Sequence, residues 1–248
     1  MLWQKTSRKY HKWLMLFIGL QFMVWAISGV YMVVMDIDYI HGDSLVSPQV
    51  SFIESKDINY SISQLLTDYP DAKNIELGTM LEHTVYRFKL INKVQVLFAK
   101  NGALLGPINK AIARDIAKKA YADKNSAITE VSLISEQTLR ELSPRHLPVW
   151  RVNFDDFASS TFYISVHSAK IVTKRHSFWR VFDWMFAFHV MDYVDEAPDN
   201  KLLLLFILFA LPASLFGLVL TYFSTIKTNT FVKSSVKSLR VRPGTLHK

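Results

Sequence analysis

The sequence predicts an α+β protein in which two transmembrane helices flank an extracytoplasmic domain built from a helix and antiparallel strands, repeated twice. Three observations support this prediction. Two long runs, residues 13–35 and 202–226, carry no charged side chain. Basic residues without acidic ones cluster at both chain ends, and the segment between the two runs contains a strand-and-turn pattern that recurs at an offset of 64 residues.

Both apolar runs are long enough to cross a bilayer. They contain 23 and 25 residues, whereas about 20 helical residues, at about 1.5 Å each, cross a hydrocarbon core about 30 Å thick. Residues 201–226 are therefore assigned to the second span. The first run follows a basic start, as in a secretion signal, but it is longer than a typical signal core and no small-residue cleavage motif follows it. We predict an uncleaved anchor over residues 13–35.

The distribution of charge predicts the orientation of the spans. Residues 1–12 contain four Lys or Arg and residues 227–248 contain six, with no acidic residue in either segment. Basic residues beside a span are retained in the cytoplasm, so we expect a bacterial inner-membrane protein with both termini cytoplasmic and residues 36–176 in the periplasm. The net charge of +8 then reflects topology and contact with the lipid bilayer. The tail has no nucleic-acid-binding motif, so no nucleic-acid partner is expected.

The sequence lacks the residues that several kinds of catalytic and metal site require. The chain has no cysteine, which excludes disulfides, thiolate metal sites, iron–sulfur clusters and a cysteine nucleophile. It also has no G-x-S-x-G, H-E-x-x-H or phosphate-binding glycine loop. We therefore expect no catalytic residues and no enzyme acting alone. A cofactor would need histidine, methionine or carboxylate ligands.

The repeat lies between the two spans. Residues 85–88 align with residues 149–152, and each set begins a strand that is followed by a polar turn and a second strand. A tight turn comes next, Asn101-Gly102 in one copy and His167-Ser168 in the other, leading to a third short strand. Asn-Gly between apolar runs is a strong hairpin signal, because both residues tolerate positive φ.

A helical pattern and one more strand precede each copy of the hairpin. In the first copy, residues 74–80 form the strand, and the helix ends before Pro70 and places four apolar residues on one face: Ile58, Ile62, Leu65 and Leu66. In the second copy, residues 127–135 form the strand, and the helix opens after Pro107 with four residues at helical spacing: Ile108, Ile112, Ala113 and Ile116. Each half is thus a helix covering one face of a small antiparallel sheet.

These residues carry a resemblance to a known family. Two copies of helix and hairpin closing in NGALLG and HSAKIVT resemble the PepSY domain, a periplasmic or extracellular module. The start, RKYHKWLMLFIGLQFMVWAISGVYMVV, and the late block, FWRVFDWMFAFHVMDY, resemble the PepSY-associated transmembrane helix family. The resemblance covers nearly the whole chain up to the basic tail.

The resemblance implies two kinds of function. PepSY proteins include inhibitory or regulatory modules, some of them associated with peptidases. We therefore expect a membrane-anchored accessory or regulatory protein whose outer domain binds a protein or small ligand, with its helices docked on a membrane partner or on a second copy. The alternative follows from larger relatives with four membrane helices, which resemble haem-containing reductases of siderophore iron. This chain would then be a b-type haem electron-transfer subunit for iron uptake, although its two spans depart from that pattern.

Three histidines are the candidate haem ligands: His11, His41 and His189. His11 and His41 flank the first span and are about 45 Å apart along a continuous helix, so they cannot ligate one haem. His189 and His41 both lie on the outer side of the membrane and could approach each other.

His189 belongs to a segment, residues 177–195, that is too short and too charged to span and that predicts an amphipathic helix lying in the membrane interface. Three aromatic residues of this segment suit the headgroup level: Trp179, Trp184 and Tyr193. Four residues fall on its apolar face: Phe182, Met185, Phe186 and His189. His189 is accordingly either a structural, hydrogen-bonded histidine or a haem or metal ligand.

A last candidate site follows the first span. Asp36, Asp38 and Asp43, with His41, could bind a cation through oxygen and imidazole. They could equally form a capped, solvated exit from the membrane, since the glycine and glutamate positions of a calcium loop are missing.

Overall fold

A computed structural model describes residues 2–48, 52–91, 93–136, 139–192, 200–222 and 224, with side chains from Lys9 onward. The chain divides into two compact units. The outer unit is Val33–Trp184, and the helical unit combines Met1–Met32 with Met185–Lys248. Tyr193 and the basic tail, residues 227–248, lie outside the described residues.

The helices of the helical unit are α1 (Leu2–Val34), the end of α5 (Ser177–Val190) and α6 (Lys201–Thr221). Lys9–Val34 and Lys201–Thr221 are long and apolar enough to cross a membrane, so the prediction of two such helices is confirmed. α1 begins within the basic segment that precedes the predicted span. α6 begins at Asn200, whose Oδ1 accepts a hydrogen bond of 2.8 Å from the Leu203 backbone N–H.

Each of these two helices buries one narrow stripe and exposes apolar side chains elsewhere. On α1 the covered positions recur every three or four residues: Leu14, Ile18, Gln21, Trp25 and Ser28. On α6 they do the same: Leu203, Phe206, Ala210, Ala213 and Gly217. The Trp25 and Phe206 rings meet at 5.3 Å. A narrow packed stripe beside widely exposed leucines and valines is the pattern of a helix surrounded by lipid.

The outer unit contains two four-stranded antiparallel sheets and three helices, α2 (Ile37–Ile40), α3 (Ile62–Asp68) and α4 (Lys110–Ala120). The first sheet has the order β1 (Lys73–Met80), β2 (His83–Leu90), β3 (Lys93–Phe98) and β4 (Leu104–Leu105). The second has the order β5 (Ile128–Ile134), β6 (Val149–Phe154), β7 (Thr161–Ser165) and β8 (Ile171–Arg175). The α+β class with two antiparallel sheets is therefore confirmed.

The internal repeat corresponds to equivalent strands. Val85 lies in β2 and Val149 in β6, and each of these strands is second in its sheet. The predicted turn at Asn101-Gly102 is present: Gly102 has φ of +71°, and the Phe98 backbone N–H donates to the Ala103 carbonyl at 2.9 Å. A Cβ at position 102 would lie 2.6 Å from the Tyr60 ring, so glycine is required there for space as well as for conformation.

The hydrophobic core of the outer unit joins α4 to both sheets. Its buried residues come from all three elements and include Val85, Val96, Ala113, Ile116, Val152 and Phe162. A second cluster lies between α3 and the first sheet, where Leu65 packs with Tyr86, Phe88 and Leu97.

The apolar face predicted for α3 is wrong in part. A capping box between Ser61 and Gln64 starts the helix at Ile62, so Ile58 lies outside it. Leu65 is fully buried, whereas Ile62 and Leu66 are about half exposed. A helix of seven residues makes only two turns, and one buried leucine is sufficient to attach it to the sheet.

Candidate functional site

His189 packs against α1 inside the helical unit. Its Nδ1 lies 3.1 Å from Ser28 Oγ, and the Ser28 hydroxyl donates to the Val24 carbonyl at 2.8 Å. Because the hydroxyl hydrogen is used in that bond, Nδ1 of His189 donates to Ser28 and its Nε2 carries the free lone pair. The His189 ring also covers Gly29, where a Cβ would make an ordinary van der Waals contact of 3.4 Å with His189 Cε1.

The face predicted for α5 is correct for His189 and wrong for Phe186. His189, Phe182 and Met185 are half-buried, whereas Phe186 is exposed and Ala187 is the fully buried residue of the helix. Ala187 lies about 140° around the helix from Phe182, so α5 is covered on more than one face rather than along the single predicted stripe.

His11 lies on the packed stripe of α1 near its other end. Its ring covers Gly217, where a Cβ would lie 3.1 Å from His11 Cε1. His11 Nδ1 is buried without a hydrogen-bond partner among the described residues. His11 and Ser28 are 17 residues apart, about 25 Å along the helix, so His11 and His189 cannot ligate the same haem. They are the only histidines in the described part of the helical unit, since His41 belongs to the outer unit.

The acidic segment after α1 is occupied by local contacts. Asp36 caps α2 by accepting a 2.8 Å hydrogen bond from the Tyr39 backbone N–H. Asp43 pairs with Lys174 at 2.7 Å, and this hydrogen bond and charge hold the pKa of the Asp43 carboxyl below its usual range. Within the described ranges no three His, Asp or Glu side chains are grouped so as to hold a metal ion. These contacts match the capped exit rather than the cation site.

A polar network around Glu141 fixes the start of α5 on the second sheet. Glu141 is 15% exposed and accepts from Arg180 Nε at 3.0 Å, and the Tyr163 hydroxyl also donates to it. Burial, and then this hydrogen bond to Glu141, raises the pKa of Tyr163. One turn further, Arg140 pairs with Asp183 at 2.8 Å. Sequence reasoning missed Glu141. The sequence did contain one indication of this network, because Arg180 and Asp183 are two charged residues in an otherwise apolar helix.

Two clefts of the outer unit flank the outward side of α4. This helix buries Ala113, Ile116 and Ala117 and exposes Arg114 and Lys118. One cleft of about 320 Å³ runs between Arg114, Lys118 and Lys124 and the edge of the core at Tyr121 and Phe154. A second cleft of about 480 Å³ shares Lys118 and Lys124 and adds Ser47, Asp115 and Lys119. We refer to Arg114, Lys118, Lys119 and Lys124 as the α4 basic surface.

Two of the four cations of this surface have no partner in the described part of the chain. Lys119 pairs with Glu82 at 2.5 Å, and Lys124 donates to the Lys119 and Tyr121 carbonyls at the end of α4. Arg114 and Lys118 make neither an ion pair nor a side-chain hydrogen bond with any described residue. The neighbouring Asp123 is bonded to Ser126 Oγ and the Asn125 backbone N–H, which lower the pKa of its carboxyl. Asp115, which lines the second cleft, is likewise unpaired among the described residues, so two free cations and one free carboxylate leave a net positive charge at the clefts.

Comparison with protein-family models, curated proteins and solved structures finds no match for this chain.

Proposed function

We propose that this chain is a membrane-anchored accessory or regulatory protein whose outer unit binds a protein or small ligand at the α4 basic surface, through carboxylate or phosphate groups of that ligand. The observation that carries the proposal is the pair of unpartnered cations, Arg114 and Lys118, at the mouth of a cleft of about 320 Å³. This volume falls in the range of about 300–1,000 Å³ typical of ligand sites. Two cations that already have no partner are available to an incoming anion without breaking a bond in the protein.

The walls of this cleft supply shape as well as charge. Tyr121 and Phe154 line it, and their rings stack at 3.9 Å as part of the core. A buried apolar wall beside exposed cations suits a ligand that has an apolar body and an anionic group. The α4 basic surface would therefore select its ligand by shape as well as by charge.

The cellular setting is part of the proposal. The two apolar helices are the length of membrane spans, and the basic chain ends support cytoplasmic termini, with the outer unit in the bacterial periplasm. The resemblance to PepSY-associated membrane proteins supports a regulatory role for such an outer unit. Binding of the ligand would then change how the outer unit interacts with a protein partner or with a second copy of the chain.

Thermal unfolding of the purified full-length protein in detergent tests the ligand site. The probes are inorganic phosphate, citrate and a hexaglutamate peptide, each at an ionic strength matched with chloride. A ligand that binds only the folded state stabilises it by about 2.7 kcal/mol at 100 times its Kd. We expect at least one probe to raise the midpoint above the chloride reference in the wild type, and Arg114→Glu with Lys118→Glu to remove that increase.

Lys110→Glu is the matched control, because Lys110 is exposed on the first turn of the same helix and lines neither cleft. It should keep the increase in midpoint. An equal increase in the Arg114 and Lys118 double variant, or none with any probe in the wild type, would contradict the proposal.

A second candidate function is the b-type haem electron-transfer subunit, supported by the bond between His189 and Ser28. A hydrogen bond that fixes Nδ1 of an imidazole is the usual way of orienting Nε2 towards a metal. Haem would supply one-electron transfer towards ferric iron outside the membrane. His11 lies too far along α1 to be the second ligand, so that ligand would come from a second copy of the chain.

Absorption spectra of the detergent-purified protein from haem-replete cells test this candidate. Bands that sharpen on dithionite reduction are expected in the wild type and should be lost in His189→Ala. His83→Ala is the control, because His83 is exposed on β2 of the outer unit. A colourless wild-type protein, or identical bands in His189→Ala, would exclude His189 as a haem ligand.

A further inference from the structure

Phe157 is the most exposed large apolar side chain of the outer unit, at 95%. It lies in the loop between β6 and β7. Val85 pairs with Phe98, 13 residues later, whereas the equivalent Val149 pairs with Ser165, 16 residues later. The second hairpin is therefore three residues longer than the first, and the longer loop carries this phenylalanine.

The loop around Phe157 is held by hydrogen bonds. Asp156 accepts from the Ser160 backbone N–H at 2.6 Å and from Ser160 Oγ at 2.8 Å. The Ala158 carbonyl accepts from the Ser177 backbone N–H at 2.7 Å, which ties the loop to the first residue of α5. The ring is thus presented to the exterior by an ordered loop. Removing a phenylalanine side chain from water is favourable, and this ring is almost fully exposed within the outer unit.

Phe157 lies beside the two segments through which the chain enters and leaves the outer unit. Its ring is 6.3 Å from Phe178, which is 5.7 Å from Tyr39. Tyr39 follows Val34, the last residue of α1, by five residues, and Phe178 is the second residue of α5, which leads out of this unit. The three rings form an aromatic row at the end of the outer unit where the chain enters and leaves.

Two tryptophans of α5, the helix that carries Phe178, are paired with arginines. Arg175 lies over the Trp179 ring at 4.0 Å, and Arg140 lies over the Trp184 ring at 4.6 Å. Tryptophan and arginine together are typical of the boundary between headgroups and hydrocarbon, where the ring meets acyl chains and the cation meets phosphate. Trp179 and Trp184 follow Phe178 on α5 and suit the headgroup level, where the carboxylates of Asp155 and Asp156 beside Phe157 would also stay hydrated.

We propose that Phe157 inserts into the interfacial region of the outer leaflet and, with Tyr39 and Phe178, seats the outer unit on the bilayer. The occupant of this aromatic surface is lipid, because the chain connects Tyr39 to the end of a candidate span through only five residues. The inference rests on α1 crossing the membrane. It does not depend on what binds at the α4 basic surface.

The absence of cysteine from the chain allows a site-specific test. Phe157→Cys carries a nitroxide label in full-length protein reconstituted in nanodiscs of phosphatidylcholine and phosphatidylglycerol. Collision rates with oxygen, which concentrates in hydrocarbon, and with a water-soluble nickel chelate report the environment of the label. We expect the label at position 157 to favour oxygen over nickel.

Two further labels make the outcomes distinct. Ile91→Cys, in the turn between β2 and β3 and 88% exposed, should favour nickel, and Leu16→Cys, exposed on α1, should favour oxygen. Nickel preference at position 157 with oxygen preference at position 16 would overturn the insertion and leave the span intact. Low accessibility to both reagents at position 157 would place the ring against a protein surface and would also overturn it. Nickel preference at position 16 would show that α1 does not cross the membrane.

Discussion

Replacing Phe162 with alanine is expected to lower the free energy of unfolding of the outer unit by about 3–5 kcal/mol. Phe162 is fully buried on β7, with ring centroids 5.6 Å from Tyr121 and 5.1 Å from Phe154. Alanine would leave a cavity in the core that α4 shares with both sheets. Amide hydrogen exchange of the full-length protein in detergent measures the effect. The slowest amides of β6 and β7 should exchange at least a hundredfold faster, because each 1.36 kcal/mol is about tenfold.

Phe157→Ala is the matched control for this variant. It makes the same substitution five residues earlier in the chain, at a ring that is almost fully exposed. In detergent it should change the free energy of unfolding by less than about 0.5 kcal/mol. Equal exchange rates in the two variants would mean that Phe162 is not a core residue.

Replacing Glu141 with alanine is expected to destabilise the junction between the second sheet and α5 by about 2–3 kcal/mol. Removing one partner of a buried ion pair costs about 3–5 kcal/mol, and the 33% exposure of the Arg180 side chain reduces that cost. The Tyr163 hydroxyl, on a fully buried residue, would also lose its acceptor. We expect faster exchange of the first turns of α5, with a smaller effect on the first sheet.

Two companion variants separate the lost pair from a general effect of charge. Glu136→Ala removes an exposed carboxylate from the same connection and should leave the exchange rates of α5 unchanged. Adding Arg180→Leu to Glu141→Ala should recover part of the lost stability, because no unpaired guanidinium remains. If Glu141→Ala exchanges like Glu136→Ala, the network does not hold the helix.

The sequence by itself determined the features that depend on chain neighbours. The uncharged runs predicted two helices of membrane length, because length and polarity of a single segment decide whether it can cross hydrocarbon. Asn101-Gly102 predicted its turn, because the positive φ at Gly102 is a property of that residue. The alignment of Val85 with Val149 placed both residues in the second strands of two similar sheets.

Only the tertiary structure decided which side chains meet. Helical periodicity groups residues on a face but does not say which faces other elements will cover, so Ala187 is buried and Phe186, on the predicted face, is exposed. The partners at the candidate sites are distant in the chain: Ser28 and His189 are 161 residues apart, and Glu141 and Arg180 are 39 apart. Partners at such separations come together only when helices and sheets pack. For the same reason the free charges of Arg114 and Lys118 became visible only once the ion pairs of their neighbours were known.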